Sequence, residues 1–394
     1  MAHIKFRGNY LFTGTALLDS NNVLITNEEG VIVDIVPIAE AGDGVQTFKG
    51  ILSPGFINCH CHLELSHMKG LIPEHLGLVP FILSILKQRH ATEDEIFSAM
   101  QQAEEAMLQS GIVAVGDISN NALSFHQKQN SKLHYHNFIE VSGFSPAVAQ
   151  MRFDAALDVY NTFKSHFPNR TSLVPHAPYS VSKELFNLID NLKSNQLSSI
   201  HNQETPDENE FFLSGKGQFN LLYETIGVNI KPFYKPSSKT SLQTVLPLIS
   251  IPKKLLLVHN TFTSQSDIDM LKALSSVQQA IFCFCLNANL YIENKLPPIG
   301  LFIQNNCEIV LGTDSLASNQ QLSILSEMIT ISQNFPLIPL QSILQWATSN
   351  GAKALNMNDQ LGSFEVGKKP GIVNISNLTK EGNICKESIS KRIL

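Results

Sequence analysis

Residues 51–68 read ILSPGFINCHCHLELSHM, and this stretch decides how the rest of the chain is understood. A run of strand-prone apolar residues ends in two histidines one residue apart, His60 and His62. Side chains alternate faces along a strand, so both imidazoles are expected on one side and Cys59 and Cys61 on the other. Neutral imidazole is the commonest protein metal ligand, and two at one strand end make half of a divalent site. The plain alternative is a hydrogen-bonded polar pair at a strand terminus, and His-x-His alone does not choose between the two.

Outward from this stretch the pattern changes on both sides. Residues 1–52 alternate short apolar runs with turn signals such as Asn21-Asn22, Glu29-Gly30 and Gly42-Asp43-Gly44, a small antiparallel β pattern. From residue 53 to 358, strand-like runs alternate with helical stretches such as 92–110 and 182–195. The runs are GFINCHCH, GIVAVGDIS, LHYHNFIEV, TSLVPHA, LSSIHNQE, KLLLVHN, QAIFCFC and CEIVLGTDS. Eight such repeats, each ending in polar or histidine residues, predict an α/β protein built on a (β/α)8 TIM-like barrel. A doubly wound open sheet would leave the polar strand ends unexplained. Residues 359–394 return to turn and strand, and are expected to join the N-terminal segment in a small β-sandwich domain.

Composition narrows the function. Of the 394 residues, 43% are hydrophobic and 16% charged, as expected for a chain with a sizeable core. A net charge of −6 gives no electrostatic reason for a nucleic-acid or anionic-membrane partner. Pro73, Glu74 and His75 interrupt the most apolar early region, so no run is long enough to span a bilayer. The start, MAHIKFRGNYLF, lacks a signal core, and the six cysteines form no disulfide-like framework. Both observations predict a cytoplasmic protein with reduced thiols.

Four strand ends carry candidate metal ligands: His60, His62, His201 in SSIHNQE and Asp314 in VLGTDS. Three histidines and one carboxylate suit zinc or a similar metal, with room left for water. His201 could instead be a capped strand-end histidine and Asp314 a turn residue, but a barrel would bring all four to one mouth. If His201 binds a metal, Glu204 three residues later falls within reach of a bound water and can carry its proton to a leaving group; the alternative is a solvated acid in a loop that also holds Glu208 and Glu210. His259, after four apolar residues, can polarise that water or a substrate oxygen, and His176, between two prolines, can face the substrate. Glu64 and His67 follow the metal histidines and can hydrogen-bond sugar hydroxyls, with a loop-stabilising pair as the alternative.

Taken in order, SPGFINCHCHLELS, PHAPYS, IHNQE, LVHN and LGTDSLASN resemble the amidohydrolase superfamily over nearly the whole chain. The branch is that of cytosine, guanine and S-adenosylhomocysteine deaminases and triazine hydrolases, with aminofutalosine deaminase-like proteins among them. The resemblance implies one divalent transition metal, zinc or iron(II), on His60, His62, His201 and Asp314. It implies Glu204 as proton shuttle, His259 and Asp314 beside the attacking water, and His176 against the substrate. Arg152 falls near where nucleoside-type relatives hold a substrate carboxylate. Binuclear branches carry a bridging lysine; here Glu140 and His176 occupy those strand ends, which favours one metal. Two departures stand out: Cys285-Leu286-Asn287-Ala288-Asn289 replaces Cys-Pro-x-Ser-Asn, and Pro370-Gly371 replaces Ala-Asp.

The expected activity is therefore hydrolytic deamination of an aminopurine nucleoside, aminodeoxyfutalosine or S-adenosylhomocysteine first. Deamination of free guanine or cytosine, hydrolysis of a cyclic amide or another C–N bond, and a silent metal-binding homologue are the alternatives. The expected partner is a small heterocyclic molecule, with a homodimer left open.

Overall fold

The computed structural model describes residues 3–192, 196–249, 254–274 and 279–394. Eight parallel strands form the centre. Phe56–Cys61, Ile112–Ser119, His134–Val141 and Thr171–Pro175 make one half, and Leu197–Asn202, Lys254–His259, Gln279–Phe284 and Glu308–Leu311 the other. Both seams between the halves close at the strand ends. Thr313 and Asp314 donate main-chain N–H bonds to His60 O at 2.9 and 3.1 Å, and His201 N donates to His176 O at 2.9 Å. The residues that close the barrel are thus neighbours of the candidate ligands or the ligands themselves.

Helices cover the outside for the reason the apolar spacing predicts. Glu93–Gln109 opens with a capping box, in which Thr92 accepts from Glu95 N while Glu95 accepts from Thr92 N at 2.9 Å. Met100, Ala103 and Met107 recur on one face and are buried against Phe56, Ile112 and Val115 of the strands. Fully burying each of the two methionines contributes roughly 1.5–3 kcal/mol. The expected 182–195 helix runs only over Lys183–Asp190, started by Ser182, and residues 193–195 lie outside the described set. Ser349–Ala354 packs across the barrel's inner cluster, and Gly351 is required there: an added Cβ would lie 2.7 Å from Ile57 Cβ.

The expected separation of histidines and cysteines needs correcting. Residues 58–61 of the first barrel strand pair with only 115–117 of the second, a one-residue bulge. The bulge switches faces, so Cys59 joins Ile57, Cys283 and Cys285 in the inner cluster while Cys61 joins the helix-covered layer. Neither thiol belongs to a ligand group among the described residues.

The two termini share a sheet, in the order Ile389–Arg392, Ile372–Ser376, Ile51–Pro54, Tyr10–Phe12, Leu17–Leu18. Ile51–Pro54 pairs antiparallel with Ile372–Ser376 but parallel with Tyr10–Phe12, and His3–Arg7 pairs parallel with Val45–Thr47. The N-terminal pattern is therefore mixed rather than purely antiparallel, because long excursions let the chain return in the same direction. Among the described residues, no helix is long and apolar enough to cross a membrane.

Candidate metal centre and active site

His60, His62, His201 and Asp314 converge, all four buried, with their ligand atoms within 4.8 Å of one another. His62 Nε2 stands 3.2 Å from both His60 Nε2 and His201 Nε2. Asp314 Oδ1 lies 3.5 Å from His60 Nε2 and 3.4 Å from His62 Nε2. Two nitrogens bound tetrahedrally at about 2.0–2.1 Å stand ~3.3 Å apart, so the spacing matches a metal shell.

The proton positions agree with that fit. His201 Nδ1 donates to His176 O at 2.9 Å, which commits the ring hydrogen there and leaves Nε2 a lone pair. Burial lowers His62 to about 4 and pushes His201 well below the ordinary imidazole range, keeping both neutral. Burial also pushes Asp314 upward, but the imidazoles around it, His60 first, hold its carboxyl well below the usual carboxylate range. Ser318 Oγ donates to its other oxygen. Lone pairs facing one another beside a buried carboxylate are unfavourable unless a cation sits between them. The donor set fits a divalent transition metal.

Strain marks the same strand ends. Gln203, His259, Asn260 and Asp314 have φ of 48°, 73°, 58° and 58°, a left-handed geometry that side chains adopt at a cost of about 1–3 kcal/mol. Glu208 holds one of these turns, accepting from Gln203 N at 3.0 Å and Glu204 N at 3.3 Å. That turn delivers Glu204, only 4% exposed, to within 3.6 Å of His259 Nε2. Burial, followed by the charge of Asp314, raises Glu204 well above the usual carboxylate value. His259 is lowered to about 4, chiefly by burial, and its Nδ1 donates to Asn289 Oδ1 at 2.8 Å.

The other expected residues occupy the rim. His176 is half-buried, with Nδ1 against Ser180 Oγ at 2.6 Å. Glu64 is buried and receives Asn120 N at 3.2 Å, and burial together with Asp117 raises it to about 7. His67 has both ring nitrogens against main-chain carbonyls, of Glu64 and Arg89, each at 3.1 Å, so it fastens the rim loop. Arg152 is exposed on the helix Ala149–His166, its stem over Gly143, where an added Cβ would lie 3.1 Å from Arg152 Cγ. Gly143 in turn exchanges main-chain bonds with Ser180 and Ser182, beside His176.

Several supporting residues were not anticipated as such. Asn289 orients His259. Asp117 Oδ1 accepts from Leu63 N at 2.8 Å, directly after His62, and its Oδ2 pairs with the buried Lys128 at 2.6 Å. Glu327 accepts from Asn287 N at 3.1 Å and Asn319 Nδ2 at 3.2 Å, tying the seventh-strand loop to the segment carrying Asp314. The signal available for Asp117 was its position as a polar residue closing GIVAVGDIS.

A family model described as the amidohydrolase family matches residues 51–387. The chain belongs to the amidohydrolase family. An adenosine deaminase of Helicobacter pylori is 30% identical to this amidohydrolase over 330 residues, 82% of this chain and 78% of the relative. A 5-methylthioadenosine/S-adenosylhomocysteine deaminase of Teredinibacter turnerae is 28% identical over 346 residues, 82% of this chain and 71% of the other. The crystal structure of Helicobacter pylori aminofutalosine deaminase with methylthio-coformycin superposes with a TM-score of 0.78 at 24% identity. It covers 95% of this amidohydrolase and 92% of that chain. The family's hydrolytic chemistry and barrel fold agree with the architecture described above.

Proposed function

We propose that this chain removes the 6-amino group of an adenosine-type nucleoside by hydrolysis, using one divalent transition metal held by His60, His62, His201 and Asp314. Zinc is preferred for three imidazoles and a carboxylate. The observation that carries the reading is the buried Glu204 carboxyl, 3.6 Å from His259 Nε2, at the edge of the four-ligand group. Binding of a metal alone does not require that acid. The relatives named for adenosine and methylthioadenosine/S-adenosylhomocysteine support the 6-aminopurine class.

When bound, the metal lowers the pKa of water toward about 7. Glu204 takes the proton of the attacking water and delivers it to the ring nitrogen. Its raised affinity for a proton suits both halves of that transfer. His259, kept as one tautomer by Asn289, faces the water with Nε2 and holds it against the ring carbon. As the adduct collapses, the remaining hydroxyl hydrogen passes through Asp314 to the amino group, which leaves as ammonia while the oxygen stays on the ring carbon. His176 contacts the base or sugar from the rim, with Glu64 and His67 shaping the loop behind it. Arg152 meets a carboxylate on an extended 5′ substituent, which aminodeoxyfutalosine- or S-adenosylhomocysteine-type substrates would supply. One metal is favoured because His201 Nδ1 is committed to His176 O, so Glu140 and His176 lack a third ligand for a second ion.

The test is ammonia release and the ultraviolet change on a panel of adenosine, 5′-methylthioadenosine, S-adenosylhomocysteine, guanine and cytosine, with metal content by elemental analysis. Glu204→Gln is expected to keep one metal per chain and lose about 10²–10⁴-fold in kcat. Near-normal turnover by that variant, or turnover of free bases alone, would refute the proposal.

A further inference from the structure

Between the first barrel strand and the helix Glu93–Gln109 the chain leaves the barrel and returns to its starting point. His67 ties the two ends of this excursion together, its ring nitrogens each 3.1 Å from a main-chain carbonyl, of Glu64 and of Arg89. Within it lies the helix Leu78–Gln88, LVPFILSILKQ, apolar in all but Ser84, Lys87 and Gln88. A helix of that composition is expected to bury most of its surface. Here only Leu78, Val79 and Phe81 are buried, while Leu71, Leu76 and Leu86 of the same excursion are exposed. The segment is held along one edge.

The position of that edge shows what the segment covers. The helix packs against Phe219–Thr225, after the fifth strand, and Leu286–Glu293, after the seventh. Ile72, Leu78, Val79 and Phe81 share an apolar cluster with Ala177 and Tyr179, after the fourth strand, and Ala317, after the eighth. In a ring of eight the fourth and fifth strands stand opposite the first, so the segment spans the mouth above the metal ligands. Beneath it, His62, His201, Glu204, His259 and Asp314 are each no more than 7% exposed.

The far side of the segment is clasped to a single helix end. Tyr291 Oη donates to Ile72 O at 2.5 Å, His75 N to Tyr291 O at 2.6 Å, Gly77 N to Ile292 O at 3.0 Å and Leu78 N to Glu293 Oε1 at 2.7 Å. Gly70 and Gly77 bracket the clasp with φ of 72° and 79°, and a Cβ added at Gly70 would meet nothing within 4 Å. The backbone therefore has both the freedom and the room to turn between the neck and the clasp.

We propose that residues 69–88 are a lid, hinged at the neck that His67 pins, which releases Tyr291 and Glu293 to admit substrate and re-forms those bonds to shut water out of the reaction. Closure of this kind strengthens the electrostatics of the metal site by removing bulk solvent from it. The inference goes beyond the proposed nucleoside reaction and rests on it only for the identity of what enters.

The experiment is amide hydrogen exchange read by mass spectrometry on the metal-loaded protein, free and saturated with methylthio-coformycin, for wild type, Tyr291→Phe and Glu293→Ala. Metal content is measured for each protein. In free wild type, residues 69–88 should exchange at least tenfold faster than Glu93–Gln109, and the bound inhibitor should slow them at least tenfold. Each variant removes one bond of the clasp, so exchange in 69–88 should quicken by about 5-fold in Tyr291→Phe and about 10-fold in Glu293→Ala, whose lost bond is charge-assisted. The inhibitor should dissociate faster by similar factors, with metal content and the exchange of Glu93–Gln109 unchanged. Exchange in 69–88 as slow as in Glu93–Gln109, in wild type and both variants, overturns the lid. Fast exchange that the bound inhibitor leaves unaltered overturns it as well, since the segment would then stand clear of the entrance. If methylthio-coformycin does not bind, the nucleoside reading fails, and exchange in the free wild type and variants alone decides the lid.

Discussion

Replacing Lys128 with methionine removes one half of a fully buried ion pair that stands directly behind the metal ligands. Lys128 Nζ lies 2.6 Å from Asp117 Oδ2, and neither side chain is exposed at all. It also donates to Ser119 Oγ at 2.8 Å and sits 5.3 and 5.1 Å from the ring centroids of Tyr135 and Phe163. At 2.6 Å and an effective dielectric of about 20, the attraction lost is ~6 kcal/mol. Methionine no longer has to be dehydrated as an ammonium, which returns part of this. A net loss of roughly 3–5 kcal/mol is therefore expected, because Asp117 is left buried and uncompensated. Trp346, the single tryptophan and 7% exposed, reports unfolding in urea by fluorescence. The double variant Asp117→Asn with Lys128→Met should recover at least half of the loss, since no lone charge remains. A Lys128→Met variant destabilised by less than about 1 kcal/mol would refute the reasoning.

Two further outcomes follow from the same network. Asn289→Ala leaves His259 Nδ1 without its acceptor, so turnover should fall by about 10–100-fold with metal content unchanged, and a change under twofold in steady-state rate would count against it. Burial raises Glu208 to about 7 and Glu327 to about 8, above the unfolded carboxyl value. Stability from their neutral forms is complete below about pH 4.5 and is lost as pH rises through 7 and 8, so urea midpoints should fall between pH 6 and 9. A midpoint that rises over that interval would contradict the shifts.

What could be read from the chain, and what could not, divides along a physical line. His60, His62, His201, His259 and Asp314 each close a run of apolar residues, a local contradiction that only convergence at one mouth resolves. Repeated eight times, that contradiction carried the barrel as well as the ligands. Pairings between distant segments leave no such trace. Asn58 and Thr313, joined by bonds of 2.7 and 3.1 Å, are 255 residues apart, and no periodicity marks them as partners. The bulge that parts Cys59 from Cys61 is equally silent, because strict alternation is what a strand pattern assumes. Glu64 and Glu140 show the same thing: Asn120 ties the two acids together, its main-chain N–H donating to one at 3.2 Å and its side chain to the other at 2.9 Å, across 76 residues of sequence that give no sign of it. Ligand identity is thus written in residue type and strand position, whereas the hydrogen bonds that hold the ligands in place join residues that only the closed barrel brings together.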